Sequence, residues 1–236
     1  MLSWLYPNIC RLCGESCEDG LCEHCRAALP RLTRPLCLHC GAPLGDYPAA
    51  ADTCPECRDY PRLFDYARQV FPRRDETLKL IYDLKYHGAS YLARDLARLL
   101  SELWETCTPL SKAVNPVLVP VPITRSRLFD RGYNQALEIA VALGRLRGLP
   151  VVQALEHRET GVESQTKLTA AQRQENARLA YRAKSAFREG KRHLPDHVIL
   201  VDDVYTTGAT ARACAAALKS LPGKRTVGVL TILRAI

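Results

Sequence analysis

The sequence predicts an α/β protein, with a mostly parallel sheet flanked by helices, preceded by a small cysteine-rich module. Apolar segments of strand length alternate with amphipathic helical segments after about residue 63. Four C-x-x-C pairs lie within residues 10–57, where no long apolar periodicity occurs. An apolar strand over residues 198–201 leads into two acids, a threonine-rich turn and a helix. We therefore expect a cysteine-rich module over residues 1–62 and an α/β domain over residues 63–236.

The α/β prediction depends on hydrophobic periodicity. Leucines at 92, 96, 99 and 103 recur at helical spacing, whereas residues 116–121 form a short apolar run typical of a strand. Strands that alternate with helices favour a largely parallel sheet. The expected strands are 66–71, 116–121, 151–155, 197–201 and 226–233, and the expected helices are 76–86, 90–107, 133–147 and 209–221.

Nine of the eleven cysteines fall within residues 10–57, and eight of these form C-x-x-C pairs. Disulfides would require an oxidising compartment, whereas such pairs suit tetrahedral zinc coordination, two pairs per ion. We therefore expect structural zinc, one or two ions, with an iron–sulfur cluster as the lesser alternative. Pairing in chain order gives two groups, but interleaved pairing would also satisfy four ligands per ion. The expected ligands are Cys10, Cys13, Cys22, Cys25, Cys37, Cys40, Cys54 and Cys57.

The remaining cysteines and two histidines have no place in the pair pattern. We expect Cys17, His24 and His39 to be solvated loop residues of the module. Cys107 and Cys214 lie in apolar helical patterns and are expected to be ordinary buried thiols.

Positive charge is concentrated in the second part of the chain. Residues 1–66 carry a net charge of −3 and residues 67–236 a net charge of +11. Such an excess attracts polyanions or phosphorylated small molecules, although it also serves solubility. No stretch approaches the roughly 20 apolar residues of a membrane helix. The N-terminal residues lack the features of a signal peptide, so we expect no membrane span and a cytoplasmic protein.

The sharpest signal is the segment 198–210, VILVDDVYTTGAT. Asp202 and Asp203 follow a strand, and ligands of open α/β sheets bind beyond the carboxyl ends of strands. The turn and the helix N-terminus after them suit a phosphate group. Carboxylates repel phosphate, so these acids would face sugar hydroxyls or a metal ion. The pattern indicates a ligand with a phosphate at one end and a diol at the other, which capping by one Asp and one Thr would not explain.

This segment is similar, over all 13 residues, to the signature with which type I phosphoribosyltransferases bind 5-phosphoribosyl 1-pyrophosphate (PRPP). The resemblance implies the type I phosphoribosyltransferase fold and binding of PRPP with Mg²⁺, which in that family bridges the pyrophosphate and the ribose hydroxyls. It implies that Asp202 and Asp203 are the catalytic-site acids that hold the ribose hydroxyls. It also implies contacts to the 5′-phosphate from Thr206, Thr207, Gly208, Ala209 and Thr210.

The whole chain resembles the ComF family, which is linked to DNA uptake and use. The paired cysteines are one shared element. The others are Leu-Lys-Tyr at 84–86, Pro-Val-Pro at 120–122 followed by Arg127 and the segment 131–135, and the polar segment 165–176. Their order and spacing match across nearly all of the 236 residues.

Four basic residues are candidates for contact with pyrophosphate. Arg127 and Arg131 follow the strand that ends at 120–122, and arginine binds phosphate oxygens bidentately. Residues 157–176 are polar and weakly periodic, and type I phosphoribosyltransferases close a flexible lid at this point in the chain. Lys167 lies in the middle of that segment, and Lys85 lies on the helix expected at 76–86. The ordinary alternatives are a solvated basic loop for the arginines and a surface position for Lys85.

Three hypotheses for function remain. The first is an enzyme that transfers phosphoribose to an acceptor, although neither a general base nor a separate hood for recognising a base is evident. The position of the zinc module before the domain suggests the hypothesis that the module takes the place of that hood. The second is a PRPP-sensing or single-stranded-DNA-binding accessory protein that works with the DNA-uptake machinery. The basic second part favours it, but the aromatic content of 7% offers few residues for base stacking. The third is a structural adaptor, and the complete phosphate loop argues against it.

Overall fold

The computed structural model describes residues 9–45, 52–59, 62–158 and 180–235. The strands are β1 Tyr66–Pro72, β2 Val117–Pro120, β3 Leu155–His157, β4 Tyr181–Ala183, β5 His197–Tyr205 and β6 Thr226–Arg234. The helices are α1 Glu23–Ala28, α2 Pro55–Asp59, α3 Asp75–Tyr86, α4 Leu92–Thr106, α5 Thr108–Ser111, α6 Arg125–Arg131, α7 Gln135–Arg147, α8 Ser185–Arg188 and α9 Ala209–Lys219.

The central sheet has four parallel strands in the order β1-β6-β5-β2. The two central strands, β5 and β6, have nine residues each. Strands β3 and β4 form a separate antiparallel pair. Because all four strands of the main sheet run in one direction, their carboxyl ends meet at one edge. The predicted parallel α/β architecture is confirmed.

Helices cover both faces of this sheet. Ile199 and Val201 of β5 share one hydrophobic cluster with α3, α4 and α7. Val198 and Leu200 share the other cluster with α9. Successive side chains of a strand point to opposite faces, so the continuous apolar run of β5 is buried on both sides. Among the described residues, no helix combines the length and the apolar character needed to cross a bilayer.

The cysteine-rich module packs on the α/β part at two places. Cys10, Leu21 and Leu29 belong to the cluster of α3, α4 and α7, whereas Cys37 and its paired cysteines belong to the cluster of α9. Backbone hydrogen bonds join the module to the edge strand β1, where the Ala67 amide donates to the His39 carbonyl at 2.6 Å.

Most predicted elements are confirmed to within two residues at each end. The strand predicted at 151–155 was wrong: Val151 forms only an isolated parallel bridge with Leu118, and the chain then leaves the main sheet and forms β3 of the separate β3–β4 pair from Leu155. The expectation that His39 is solvated was also wrong. Its ring is 7% exposed and stacks on Phe64, with the ring centroids 4.4 Å apart. His24 is exposed, as expected, but it lies in α1 and not in a loop.

Candidate functional site

The eight paired cysteines form two groups of four, in chain order. Within each group the four Sγ atoms all lie within 4.8 Å of one another, and none of the cysteines forms a disulfide. Interleaved pairing, which the spacing left open, is therefore wrong. The first ribbon holds Cys10, Cys13, Cys22 and Cys25, and the second ribbon holds Cys37, Cys40, Cys54 and Cys57.

Both groups have the geometry of a structural zinc site. Zinc–sulfur bonds of about 2.3 Å in a tetrahedron place the sulfurs about 3.8 Å apart. The Sγ atoms of Cys13 and Cys22 are 3.8 Å apart, and those of Cys40 and Cys54 are 3.5 Å apart. A hydrogen bond from the Cys40 side chain lowers the pKa of Cys37 to about 3, against the effect of burial. Because each group brings four cysteine sulfurs together at the spacing of a zinc tetrahedron, both groups fit structural zinc, which cysteine binds as the thiolate.

The two adjacent acids lie inside β5 and not beyond its end. The predicted end of this strand at residue 201 was wrong, because pairing with β6 continues until Tyr205 lies opposite Arg234. Neighbouring side chains of a strand point to opposite faces. Asp202 and Asp203 therefore leave the strand in different directions, but their carboxyl groups still lie close enough to interact with each other and with Lys85.

Asp203 forms an ion pair with Lys85 of α3. The Asp203 side chain is only 6% exposed and the Lys85 side chain 20% exposed. Lys85 is thus directed toward the acids at the carboxyl edge of the sheet. A buried carboxylate requires such a partner, since an isolated charge in the protein interior is costly.

Asp202 lines a cleft together with Thr206, Gly208 and Thr210. One of its oxygens accepts a hydrogen bond from the Asp203 amide at 2.9 Å. Burial raises the pKa of Asp202 well above its ordinary value, and the charge of Asp203 raises it further. Lys85 opposes both effects. Without a ligand, Asp202 holds its proton to a higher pH than an ordinary aspartic acid does.

The turn between β5 and α9 depends on the glycine at position 208. Gly208 has φ +73°, and a Cβ there would lie 2.3 Å from the Tyr205 hydroxyl oxygen. Only glycine fits this position. Thr206 and Thr207 are exposed, and the N-terminus of the 11-residue helix α9 adjoins the cleft. The unpaired N–H groups of a helix N-terminus attract anions.

Two of the other basic candidates lie on α6, and the third lies outside the described residues. The guanidinium of Arg131 in α6 stacks over the Tyr86 ring at 5.1 Å and donates to the Tyr86 hydroxyl at 3.2 Å, one residue along the chain from Lys85. Arg127 is exposed on the same helix. Lys167 and the segment predicted to be a lid lie outside the described residues, apart from 157–158. Contact of these residues with pyrophosphate stays a prediction.

Three site residues escaped the sequence analysis. Tyr205 lies within the motif but was treated as a spacer, although it packs under Gly208. Tyr181, in β4, lies beside the cleft, close to Asp202 and Thr210. The pKa of Tyr181 is raised mainly by burial and to a smaller extent by the charge of Asp202. Arg234 reaches Cys40 of the second ribbon. No local pattern signals Tyr181 or Arg234, because both reach the site through long-range packing.

Comparison with known proteins agrees with both parts of the chain. Residues 1–58 match the double zinc ribbon domain. The chain is 30% identical to DNA utilization protein YhgH of Salmonella typhi over 238 residues, covering 98% of each chain. It is 29% identical to competence protein F of Haemophilus influenzae, covering 86% of each chain. It is 25% identical to competence protein ComFC of Bacillus subtilis, covering 92% of this chain and 85% of that protein. With this similarity over nearly its full length, the chain belongs to the ComF family of competence and DNA utilization proteins.

Proposed function

We propose that the chain binds PRPP with Mg²⁺ at the carboxyl edge of its sheet and acts as a phosphoribosyltransferase-like protein in DNA uptake or use. The observation that carries this proposal is that one acid and three residues of the candidate phosphate loop lie together around one small cleft: Asp202, Thr206, Gly208 and Thr210. This arrangement matches a ligand with a diol and a phosphate a few bonds apart.

The proposed contacts divide between the loop and the strand. The hydroxyls of Thr206 and Thr207 and the N-terminus of α9 bind the 5′-phosphate. Asp202 and Asp203 accept hydrogen bonds from the ribose hydroxyls. Mg²⁺, when bound, supplies positive charge to the pyrophosphate. Lys85, already paired with Asp203, adds a second positive charge at the same point.

Transfer would break the bond between C1′ and the pyrophosphate oxygen, release pyrophosphate, and form a bond from C1′ to an acceptor. Such a protein acts mostly by positioning and by stabilising the leaving charge. Lys85, Arg127, Arg131 and Lys167 are the proposed sources of positive charge for the leaving group. A PRPP sensor would use the same contacts without the transfer step.

The role in DNA uptake or use is supported by the names of the relatives. Competence protein F, ComFC and YhgH are named for competence or DNA utilization, and the similarity to this chain spans both the ribbons and the α/β part. The ribbons and the candidate PRPP site would then serve one process.

Calorimetric titration of the zinc-loaded protein with PRPP and Mg²⁺ tests the proposal. We expect binding in the micromolar range, lost in Asp202→Asn/Asp203→Asn. The matched control is Asp196→Asn, an exposed aspartate just before the amino end of β5, which should bind PRPP as the wild type does. Absence of binding to the wild type would refute the proposed function, and equal binding by the double variant would refute the assigned site.

A second candidate function is binding of single-stranded nucleic acid. We define the aromatic surface as Tyr82, Tyr86, Phe129 and Arg131, on α3 and α6. Phe129 is 90% exposed, Tyr86 57% and Tyr82 54%. The Tyr82 and Tyr86 rings have centroids 5.0 Å apart, and Arg131 stacks on Tyr86. Bases stack on aromatic rings while arginine contacts phosphate, so a single strand matches this surface. The chain has few aromatic residues, but Tyr82 and Tyr86 are in ring contact, and Phe129 lies on α6 together with Arg131.

Fluorescence anisotropy of a labelled oligothymidylate tests this second function. Base stacking is worth about 1–3 kcal/mol per base, so Phe129→Ala should weaken binding by about 5- to 150-fold. Val114→Ala is the control, since Val114 is 68% exposed but precedes the amino end of β2, at the opposite edge of the sheet. Affinity should also fall steeply with salt. Equal weakening by both variants would contradict the assignment of the aromatic surface.

A further inference from the structure

The second ribbon is attached to the sheet close to the candidate phosphate loop. The carbonyl oxygen of Cys40 accepts a hydrogen bond from Gln69 Nε2 at 3.0 Å and from Arg234 Nη1 at 2.9 Å. Gln69 lies in β1, Arg234 is the last residue of β6, and both side chains are buried. A zinc ligand is thereby tied to the edge of the sheet where the two acids lie.

Arg234 contacts both the zinc group and the phosphate-loop motif. It is 3% exposed, its Nη2 lies 3.6 Å from Cys40 Sγ, and its guanidinium stacks on the Tyr205 ring at 4.9 Å. A buried guanidinium needs negative charge nearby. One Zn²⁺ with four thiolates carries a net charge of about −2, so the occupied second ribbon supplies that charge.

Tyr205 extends this contact to the loop. A Cβ on Gly208 would lie 2.3 Å from the Tyr205 hydroxyl oxygen, which means that the loop backbone rests directly on the end of the ring. Thr207 of the loop and Cys57 of the second ribbon line one small cleft with the same ring. Because packed interiors leave little free space, the position of the ring limits where the loop backbone can lie.

We propose that Arg234 is a positioning residue that couples zinc in the second ribbon to phosphate binding at the loop, an inference that rests on the proposed PRPP site. Loss of zinc removes the negative charge and the folded ribbon that hold Arg234 in place. The Tyr205 ring then loses its stacking partner, and the loop backbone at Gly208 loses the ring that supports it. Coupling between two sites is reciprocal, so a ligand at the loop strengthens zinc binding by the same factor. Couplings of this kind are typically about 5- to 150-fold.

The test measures zinc affinity of the full chain by competition with a chelator, with and without ribose 5-phosphate. This probe carries the 5′-phosphate and the diol but lacks the pyrophosphate, which would itself bind zinc. We expect the ligand to raise the zinc affinity of the second ribbon at least fivefold in the wild type, and to have no effect in Arg234→Lys. Arg225→Lys is the matched control, because Arg225 lies at the amino side of β6 and donates only to carbonyls of the 221–223 turn, and it should behave as the wild type.

Hydrogen exchange of the amides at 206–210, measured against those of α4, reports on the loop without any ligand. We expect faster loop exchange in Arg234→Lys and in zinc-depleted protein, but not in Arg225→Lys. If ribose 5-phosphate binds and neither zinc affinity nor loop exchange depends on Arg234, the coupling is overturned while the proposed function stands. If the wild type binds no ligand but Arg234→Lys loosens the loop, the proposed function fails while the structural coupling stands. If neither effect occurs, both are overturned.

Discussion

Replacement of Gly208 by alanine tests whether the loop backbone rests on Tyr205. Two costs are expected. Alanine at φ +73° is strained by about 1–2 kcal/mol. Its Cβ would also lie 2.3 Å from the Tyr205 hydroxyl oxygen and 2.7 Å from Cζ, so the buried ring must shift, which adds about 1–3 kcal/mol as overpacking does. The total is about 2–5 kcal/mol, together with loss of PRPP binding.

Gly148 offers a matched control for this experiment. It ends α7 with φ +66°, and a Cβ there would meet no atom within 4 Å. Gly148→Ala should therefore be destabilised only by the backbone strain, about 1–2 kcal/mol. A third variant, Gly208→Ala/Tyr205→Phe, removes the closest atom and should recover part of the loss, compared through a double-mutant cycle with Tyr205→Phe.

Urea unfolding gives the free energy of each variant, and calorimetry gives PRPP affinity. The reasoning is refuted if Gly208→Ala and Gly148→Ala lose the same stability, because the contact with Tyr205 would then contribute nothing. It is refuted equally if the double variant recovers no stability. Retained PRPP affinity in Gly208→Ala would refute the role of the loop while leaving the packing argument intact.

Three further predictions concern ionisable groups. Lys85→Met should destabilise the protein by about 3 kcal/mol in urea unfolding, since it leaves the buried carboxylate of Asp203 without its ion-pair partner. Lys79→Met should lose under about 1 kcal/mol, because the Lys79 side chain is half-exposed and the buried Asp83 keeps Arg11 and His87 as partners. Equal losses would contradict this. Burial raises the pKa of Asp95 to about 6, so its contribution to stability is complete below its unfolded pKa near 3.9 and is lost as the pH rises through 6. Asp95→Asn should therefore gain about 1–3 kcal/mol relative to the wild type at pH 8 and less at pH 5.5, and an equal difference at both pH values would argue against it. Because the pKa of Asp202 is raised and its ionised form accepts hydrogen bonds from the ribose, PRPP affinity should increase with pH by more than the titration of PRPP itself explains. Calorimetry of Asp202→Asn over the same pH range measures the contribution of the ligand's own titration. Parallel pH profiles of the variant and the wild type would exclude Asp202 as the titrating group.

Local sequence patterns, namely hydrophobic periodicity and motif spacing, predicted much of the fold. The four long helices and the strands of the main sheet follow from periodicity, whereas the short helices and the β3–β4 pair were not predicted. The ligands of both ribbons follow from C-x-x-C spacing, because two cysteines three residues apart are brought together by one turn. Asp202, Gly208 and the threonines were recognised for the same reason, since the strand, turn and helix that carry them are contiguous in the chain.

The sequence by itself determined the four strands of the main sheet, the four long helices, the eight zinc ligands, and the residue types of the candidate PRPP site. Only the tertiary structure decided which cysteine pairs share a zinc, that β5 extends past the acids, that Lys85 meets Asp203, and that Arg234 joins Cys40 to Tyr205. The physical reason is the distance along the chain. Lys85 and Asp203 are held together by the packing of α3 on the sheet, and Arg234 reaches Cys40 because β6 pairs between β1 and β5. Such contacts depend on which strands pair and how layers stack, which no local spacing of residues encodes.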